Sequence, residues 1–380
     1  MSEQPETVHV TSPYLPPLEE VLPYLEQIWD SKFLTNGGQF HERFEAELRD
    51  RLGVPEISLF SNATIALVCA LKELRITGEV ITTPYSFVAT SHSLLWNGIR
   101  PVFVDVDPDT LNLDPDKIAA AITPQTTAIL AVHCYGHPCD VRGIQEVADT
   151  YNLKVIYDAA HAFGVEVDDG SVLNHGDLSV LSFHATKVFN TFEGGALVSG
   201  DPQAKRRIDW LKNFGHAGET QVVATGINGK MHEFSAALGL VQLKHLDHVL
   251  DRRKAIDTLY RQRLSGVAGI RMLEPTPDER VSNYAYFPIM LDGRYPLSRD
   301  TLNDLLHSHD IRSRRYFYPL ISDFPMYRTL PSAARANLPV AADVTERVLC
   351  LPIYPDLPLE TVERIADLVA EPARVQLRAA

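Results

Sequence analysis

Between Leu181 and Leu197 the chain reads LSFHATKVFNTFEGGAL, and Lys187 in that stretch is its first candidate for chemistry. A lone lysine in a polar turn is ordinarily a solvated surface residue. Here the apolar run Leu178 to Phe183 leads in, and the pair Gly194-Gly195 brings the chain back to the apolar segment Ala196 to Val198. Lys187 is also the only Lys or Arg between Lys154 and Lys205. A lysine held at the end of a buried strand is partly desolvated, which favours the neutral amine and makes it a nucleophile towards an aldehyde.

Two upstream segments add to this. In YDAAHAFG an apolar strand (LKVIYD) ends at Asp158. Alone, a buried strand-end aspartate is a hydrogen-bonded structural residue. In Ser61-Asn62-Ala63-Thr64, small and hydroxylated residues lie between a strand at Ile57 to Phe60 and a helix at Thr64 to Leu74. Such residues cap a helix, or they offer N–H groups and a hydroxyl to a phosphate with the help of the helix dipole. On this segment alone capping is a sufficient explanation. Taken together, the lysine, the carboxylate and the hydroxyl-rich helix start supply an aldehyde anchor, a partner for a pyridinium nitrogen and a phosphate cup. Those are the three requirements of pyridoxal 5'-phosphate.

The elements that must position these residues follow from the pattern. Phe40, Phe44, Leu48 and Leu52 form an i, i+4 stripe ending at Gly53, an amphipathic helix. Residues 17 to 29 read as weakly helical, interrupted at Pro23. From Glu79 strands and helices alternate (EVITTP, YSFVATSHSLLWNG, RPVFVDVD, KIAAAI, TTAILAVHCYG and LKVIYD), which predicts a mostly parallel sheet covered by helices. Right-handed crossovers then bring Phe60, Asp158 and the turn after Phe183 near one sheet edge, where ligands of open α/β sheets bind. No Gly-x-Gly-x-x-Gly follows a strand, so a dinucleotide-binding reading lacks its signature. A long helix from Met231 to Leu264 is expected to join two lobes. These are a large α/β domain over residues 1–249 and a smaller α+β domain over 250–380.

Bulk properties narrow the function classes. The 380 residues carry a formal charge of −14, against a nucleic-acid surface or an anionic membrane. The N-terminal MSEQPETVHV lacks a signal peptide's basic and apolar regions, and no apolar run approaches ~18 residues. Cys69, Cys134, Cys139 and Cys350 lack a disulfide-framework spacing and read as free thiols of a cytoplasmic protein. Metal binding is not expected. His133 and His137 are four apart, but Gly136 and Pro138 exclude a helical pair, and His245/His248 and His307/His309 sit on charged helix surfaces. Arg312, Arg314 and Arg315 form a cluster that is either a solvated face or a diphosphate contact.

The segments LTNGGQFHERFEAEL, SNATIAL, TPYSFVAT, PVFVDVDP, DAAHAFG, SFHATKVFNTFEGGALV, NGKMHEFSAALGLVQL and LPIYP resemble, in order, the DegT/DnrJ/EryC1/StrS aminotransferases, over roughly residues 10 to 360. That resemblance implies a fold type I pyridoxal-phosphate enzyme that aminates a nucleotide-linked keto-sugar. The product would be the 4-amino sugar of a dTDP-4-keto-6-deoxy substrate, with L-glutamate as donor. It implies Lys187 as the residue bonded to the cofactor and the catalytic base, and Asp158 as the partner of the ring nitrogen. His161, where many relatives have glutamine, would sit beside the phenolic oxygen with a pH-sensitive charge. Phe87 would stack on the ring, and Asn62, Ala63, Thr64 and Ser182 would bind the phosphate. Asn228 would reach the phosphate from the neighbouring subunit of a homodimer with shared sites. Lys230 stands where the family often has arginine. A minority of relatives replace the lysine by histidine and act as dehydratases; here the lysine is present and His184 lies three residues earlier. The alternatives are amination at C3 of a related keto-sugar, or a non-catalytic regulator of the same fold.

Overall fold

The computed structural model describes residues 7–372. Its centre is a seven-stranded sheet. The strand order is Glu56–Phe60, Gly195–Ser199, Leu178–Ser182, Lys154–Asp158, Thr126–Val132, Glu79–Thr82 and Arg100–Phe103. Gly195–Ser199 pairs antiparallel with both neighbours, while all other pairings are parallel. The expected parallel sheet therefore carries one reversed strand. The cause is local, because the turn after Ser182 folds back directly and no crossover helix intervenes.

Alternate residues of these strands feed two cores. Ile129, Ala131, Val155, Tyr157, Leu181 and Ala196 face one side, against Phe44 and Leu48 of helix Gln39–Leu52, Ile144 of Val141–Tyr151 and Leu240 of Glu233–Leu264. Ala128, Leu130, Ile156, Val180 and Leu197 face the other, against Leu67 and Leu71 of Ala63–Glu73 and Ile208 of Pro202–Leu211. Burial on both faces explains why the strands read as continuous apolar runs instead of alternating ones.

A third core lies towards the C-terminus. There an antiparallel sheet (Ile270–Met272, Phe287–Leu291, Val348–Leu351) packs with helices Arg299–Ser308 and Leu359–Ala370. Ile256, Tyr260 and Leu264 join this core, so one 32-residue helix contributes to both regions. Near the N-terminus Val8–His9 pairs with Ile311–Arg312 and buries Val8 in the same core. The helix at Leu18–Ser31 runs through Pro23, where an interruption was expected. The ring removes one backbone donor near the first turns, and the helix keeps Val21 and Ile28 buried on either side. Among the described residues no helix is long and apolar enough to cross a membrane.

The contact between Gln39–Leu52 and the long helix depends on Gly239. A Cβ there would lie 2.5 to 2.7 Å from three ring atoms of Phe44, which is fully buried. Gly239→Ala gains helix propensity of ~1 kcal/mol but overpacks at a typical cost of ~1–3 kcal/mol. Overpacking wins, because a fully buried ring has little room to yield. Denaturant unfolding is expected to show a lower midpoint for Gly239→Ala; a higher one would contradict this packing.

Candidate active site

A cavity of about 720 Å³ opens at the C-terminal edge of the parallel strands. It is lined by the helix start at Asn62, Ala63 and Thr64, the loop residues Ser86 and Phe87, the strand ends Asp158 and Ser182, and also His161 and Lys187. Eight of the nine residues expected to act together are thus on one surface. The ninth, Asn228, is exposed on its loop and absent from that lining. The loop itself passes close by, since Gly229 O accepts from Ser61 N at 2.7 Å.

Sheet pairing sets the geometry. Asp158 is opposite Val180 on the neighbouring parallel strand, and the turn bearing Lys187 begins two residues further on. Gly195, opposite both Ser182 and Phe60, closes the far side. A Cβ on Gly195 would lie 2.7 Å from Ala63 N, 2.8 Å from Asn62 C and 2.9 Å from Leu181 O. Only glycine lets the returning strand pass this close to the helix start. Asn62 caps that helix by accepting from Ile65 N at 2.9 Å, and Ala63 and Thr64 line the cavity at its dipole's positive end. Capping and phosphate binding, alternatives on sequence alone, are compatible here.

The electrostatics come from burial. Lys187 is pulled from 10.5 to about 8 by desolvation, with Asp158 opposing. Its Nζ lies 3.5 Å from the Tyr286 hydroxyl. Burial raises the pKa of Asp158, opposed by hydrogen bonds from Thr90 Oγ1 (2.7 Å) and Ala160 N (3.1 Å) and by the charge of Lys187. His161 departs from the sequence expectation. Burial first, and then the positive charge of Lys187, push it well below 6.5, so it is neutral and its charge does not switch near pH 7. Its ring stacks parallel to Phe317 at 6.0 Å and edge-on to Tyr286 at 4.9 Å.

These residues fit pyridoxal phosphate. His161 Nδ1 is buried without a hydrogen-bond partner, a polar atom left for a bound group to satisfy. Phe87 is 61% exposed and borders the cavity, so its face is free to stack. Four contributors escaped the sequence reading. Thr90 bonds Asp158 from 68 residues away, and Tyr286 meets Lys187 from 99 residues away. Tyr316 and Phe317 wall the cavity from the C-terminal part. Only Thr90 lay in a quoted motif; nothing short-range marks the others.

Other candidates lie elsewhere. None of Arg312, Arg314 and Arg315 lines the cavity, and Arg315 is engaged with Asp300 at 3.0 Å. His133 Nδ1 accepts from Cys139 N at 2.9 Å, and His137 pairs with Glu279 at 3.0 Å. Because only the neutral amine attacks an aldehyde, capture of pyridoxal phosphate by cofactor-free protein should speed up about tenfold per pH unit below pH 8 and level off above it. Stopped-flow absorbance measures this; a rate still climbing towards pH 10.5 would mean a solvated lysine.

Comparison with known proteins gives the same picture. The model of the DegT/DnrJ/EryC1/StrS aminotransferase family matches residues 18–370. The chain is 56% identical over 365 residues to dTDP-4-amino-4,6-dideoxy-D-glucose transaminase of Escherichia coli, covering 96% of this chain and 98% of that one. The protein of that name from Shigella dysenteriae is 54% identical over 364 residues, with coverage of 96% and 98%. The crystal structure of DesI in the presence of its TDP-sugar product matches with a TM-score of 0.92 at 35% identity, covering 99% of this chain and 96% of that one. The chain belongs to the DegT/DnrJ/EryC1/StrS family of pyridoxal-phosphate-dependent sugar aminotransferases, and it has their fold type I architecture.

Proposed function

We propose that this protein converts dTDP-4-keto-6-deoxy-D-glucose to its 4-amino derivative with L-glutamate as amino donor. The convergence of Lys187 and Asp158 on one cavity carries the reaction class. The choice of sugar rests on the 56% identity to the Escherichia coli transaminase over nearly all of both chains.

Bound pyridoxal phosphate supplies an aldehyde that accepts the amino group and a ring that withdraws electrons from the adjacent carbon. The protein does the rest. The Ala63 and Thr64 N–H groups, the Thr64 hydroxyl and Ser182 Oγ would hold the phosphate, where the helix dipole favours its charge. Asp158 would keep a proton on the ring nitrogen. Neutral His161 would donate to the phenolic oxygen, and Phe87 would cover a ring face. Lys187 would hold the group through its uncharged amine. As a free amine, Lys187 Nζ would remove the proton from the nitrogen-bearing carbon of glutamate and, in the second half-reaction, return one to C4 of the sugar. An amine near pKa 8 can both take and give that proton close to neutrality.

The same reading makes the protein a cytoplasmic homodimer in which Asn228 serves the neighbouring subunit's phosphate. Support comes from Asn228 lying off its own chain's cavity, on a loop that also exposes Phe214, Val222, Val223 and Ile227. Clustered exposed apolar residues of this kind mark a surface that is buried on association. The smaller unit from about residue 250 would close the site through Tyr286, Tyr316 and Phe317.

Two experiments test the function. Purified protein given pyridoxal phosphate, glutamate and dTDP-4-keto-6-deoxy-D-glucose should yield a product in which mass spectrometry finds the ketone replaced by an amine and NMR places it at C4. An amine at C3 would transfer the assignment to the C3 reaction; no half-reaction with glutamate would favour a non-catalytic role. Lys187→Ala should still bind pyridoxamine phosphate while turnover falls by roughly 10²–10⁴-fold, the usual worth of a positioned acid–base group. Near-normal turnover would refute Lys187 as the base.

A further inference from the structure

Behind the cavity wall, three oxygen groups follow one another without a gap. Ser86 Oγ lies 2.9 Å from Thr90 Oγ1, and Thr90 Oγ1 lies 2.7 Å from Asp158 Oδ2. Thr90 is fully buried, whereas Ser86 borders the cavity. The other carboxylate oxygen accepts from Ala160 N at 3.1 Å.

We propose that Ser86 and Thr90 are positioning residues for the proposed transamination, a hydroxyl relay that holds Asp158 ionised and carries its charge state to the cavity wall. The inference rests on the reading of Asp158 as partner of the ring nitrogen.

The argument is one of counting hydrogens. Each hydroxyl has a single hydrogen, and an ionised carboxylate can only accept. With Asp158 charged, the Thr90 hydrogen must point to Oδ2. Thr90 Oγ1 then has only lone pairs for Ser86, so the Ser86 hydrogen points to Thr90. Ser86 is left with lone pairs alone facing the cavity. Were Asp158 protonated at Oδ2, with its hydrogen towards Thr90, both bonds would reverse, and Ser86 would present its hydrogen to the cavity instead.

The relay favours the ionised state because its last bond, from Thr90 Oγ1 to Asp158, then ends on a charge and is polarised by the one behind it, and charge-assisted hydrogen bonds are the stronger ones. This opposes burial, which favours the neutral acid. Among the described residues, the charged side chain acting on Asp158 in this setting is Lys187; His161 and His133, which face the same region, are both held neutral by burial. A further consequence concerns ligands: in the working state Ser86 accepts, so it favours a hydroxyl or ammonium over a carbonyl at that part of the wall.

The test uses the full-length protein as wild type, Thr90→Val, Thr90→Ser and Ser86→Ala. Fluorescence titration gives the affinity for pyridoxal phosphate. The ¹⁵N shift of ring-labelled cofactor, followed from about pH 6 to 9, reports the proton on the ring nitrogen. Thr90→Val keeps the side-chain shape but removes the donor, so affinity should fall roughly 10- to 100-fold, the usual worth of a hydrogen bond to a charged group. The ring nitrogen should also lose its proton at lower pH. Thr90→Ser should restore both, and Ser86→Ala should shift both in the same direction by less. Wild-type values in Thr90→Val, or equal damage in Thr90→Ser, would overturn the relay. If Thr90→Val does not fold, Ser86→Ala decides, and an unchanged nitrogen titration overturns it. Wild-type protein that fails to bind pyridoxal phosphate at all would sink the underlying reading, and the relay with it.

Discussion

A lysine and an aspartate share a cavity whose surroundings penalise each charge. Desolvation is the leading influence on both, lowering Lys187 and raising Asp158, and each is partly rescued by the other. The balance gives an amine that can be neutral near physiological pH and a carboxyl group whose ionisation burial opposes and its hydrogen bonds and Lys187 support. It depends on position, because a residue further along either strand would be in the core, and one further out would be solvated. The sheet provides that position by ending parallel strands at a common edge, with Asp158 the last residue of one and Ser182 the last of its neighbour.

The remaining structure secures this arrangement. Gly195 allows the reversed strand to press against the helix start at Ala63, bringing its free N–H groups to the same edge as the lysine. From the other side, Asn283 donates to the carbonyls of His161 at 2.8 Å and Phe163 at 3.0 Å, fastening the segment before Tyr286 to the turn after Asp158. Arg253, buried on the long helix, donates to the carbonyls of Tyr284, Ala285 and Ile353. All three bonds come from Nη1, while the buried Nε has no partner, and they hold the strap that carries Tyr286. Tyr286 thereby reaches Lys187, and dryness at the amine is produced by residues from both halves of the chain.

Much of this was legible in the sequence, for reasons specific to each residue. Lys187 stood out because it was a solitary cation between apolar strands, and Asp158 because it ended a run with no other charge beyond Lys154. The stripe of Phe40, Phe44, Leu48 and Leu52 gave the helix against Gly239 directly. Thr90 and Tyr286 were not legible, because their bonds to Asp158 and Lys187 cross distances over which no periodicity acts. The neutrality of His161 was missed because its cause, burial beside Lys187 and His133, exists only once the chain is folded. Pro23 misled because a proline's effect depends on where the helix begins, and the helix starts only five residues earlier, at Leu18.

The most direct test of the account is to locate the cofactor's bond. Protein loaded with pyridoxal phosphate, reduced with borohydride and digested should show the cofactor's mass on the peptide containing Lys187, with the other lysines, Lys230 among them, unmodified. Label on another lysine in place of Lys187, or no covalent label at all, would contradict the claim that burial beside Asp158 makes Lys187 the reactive amine.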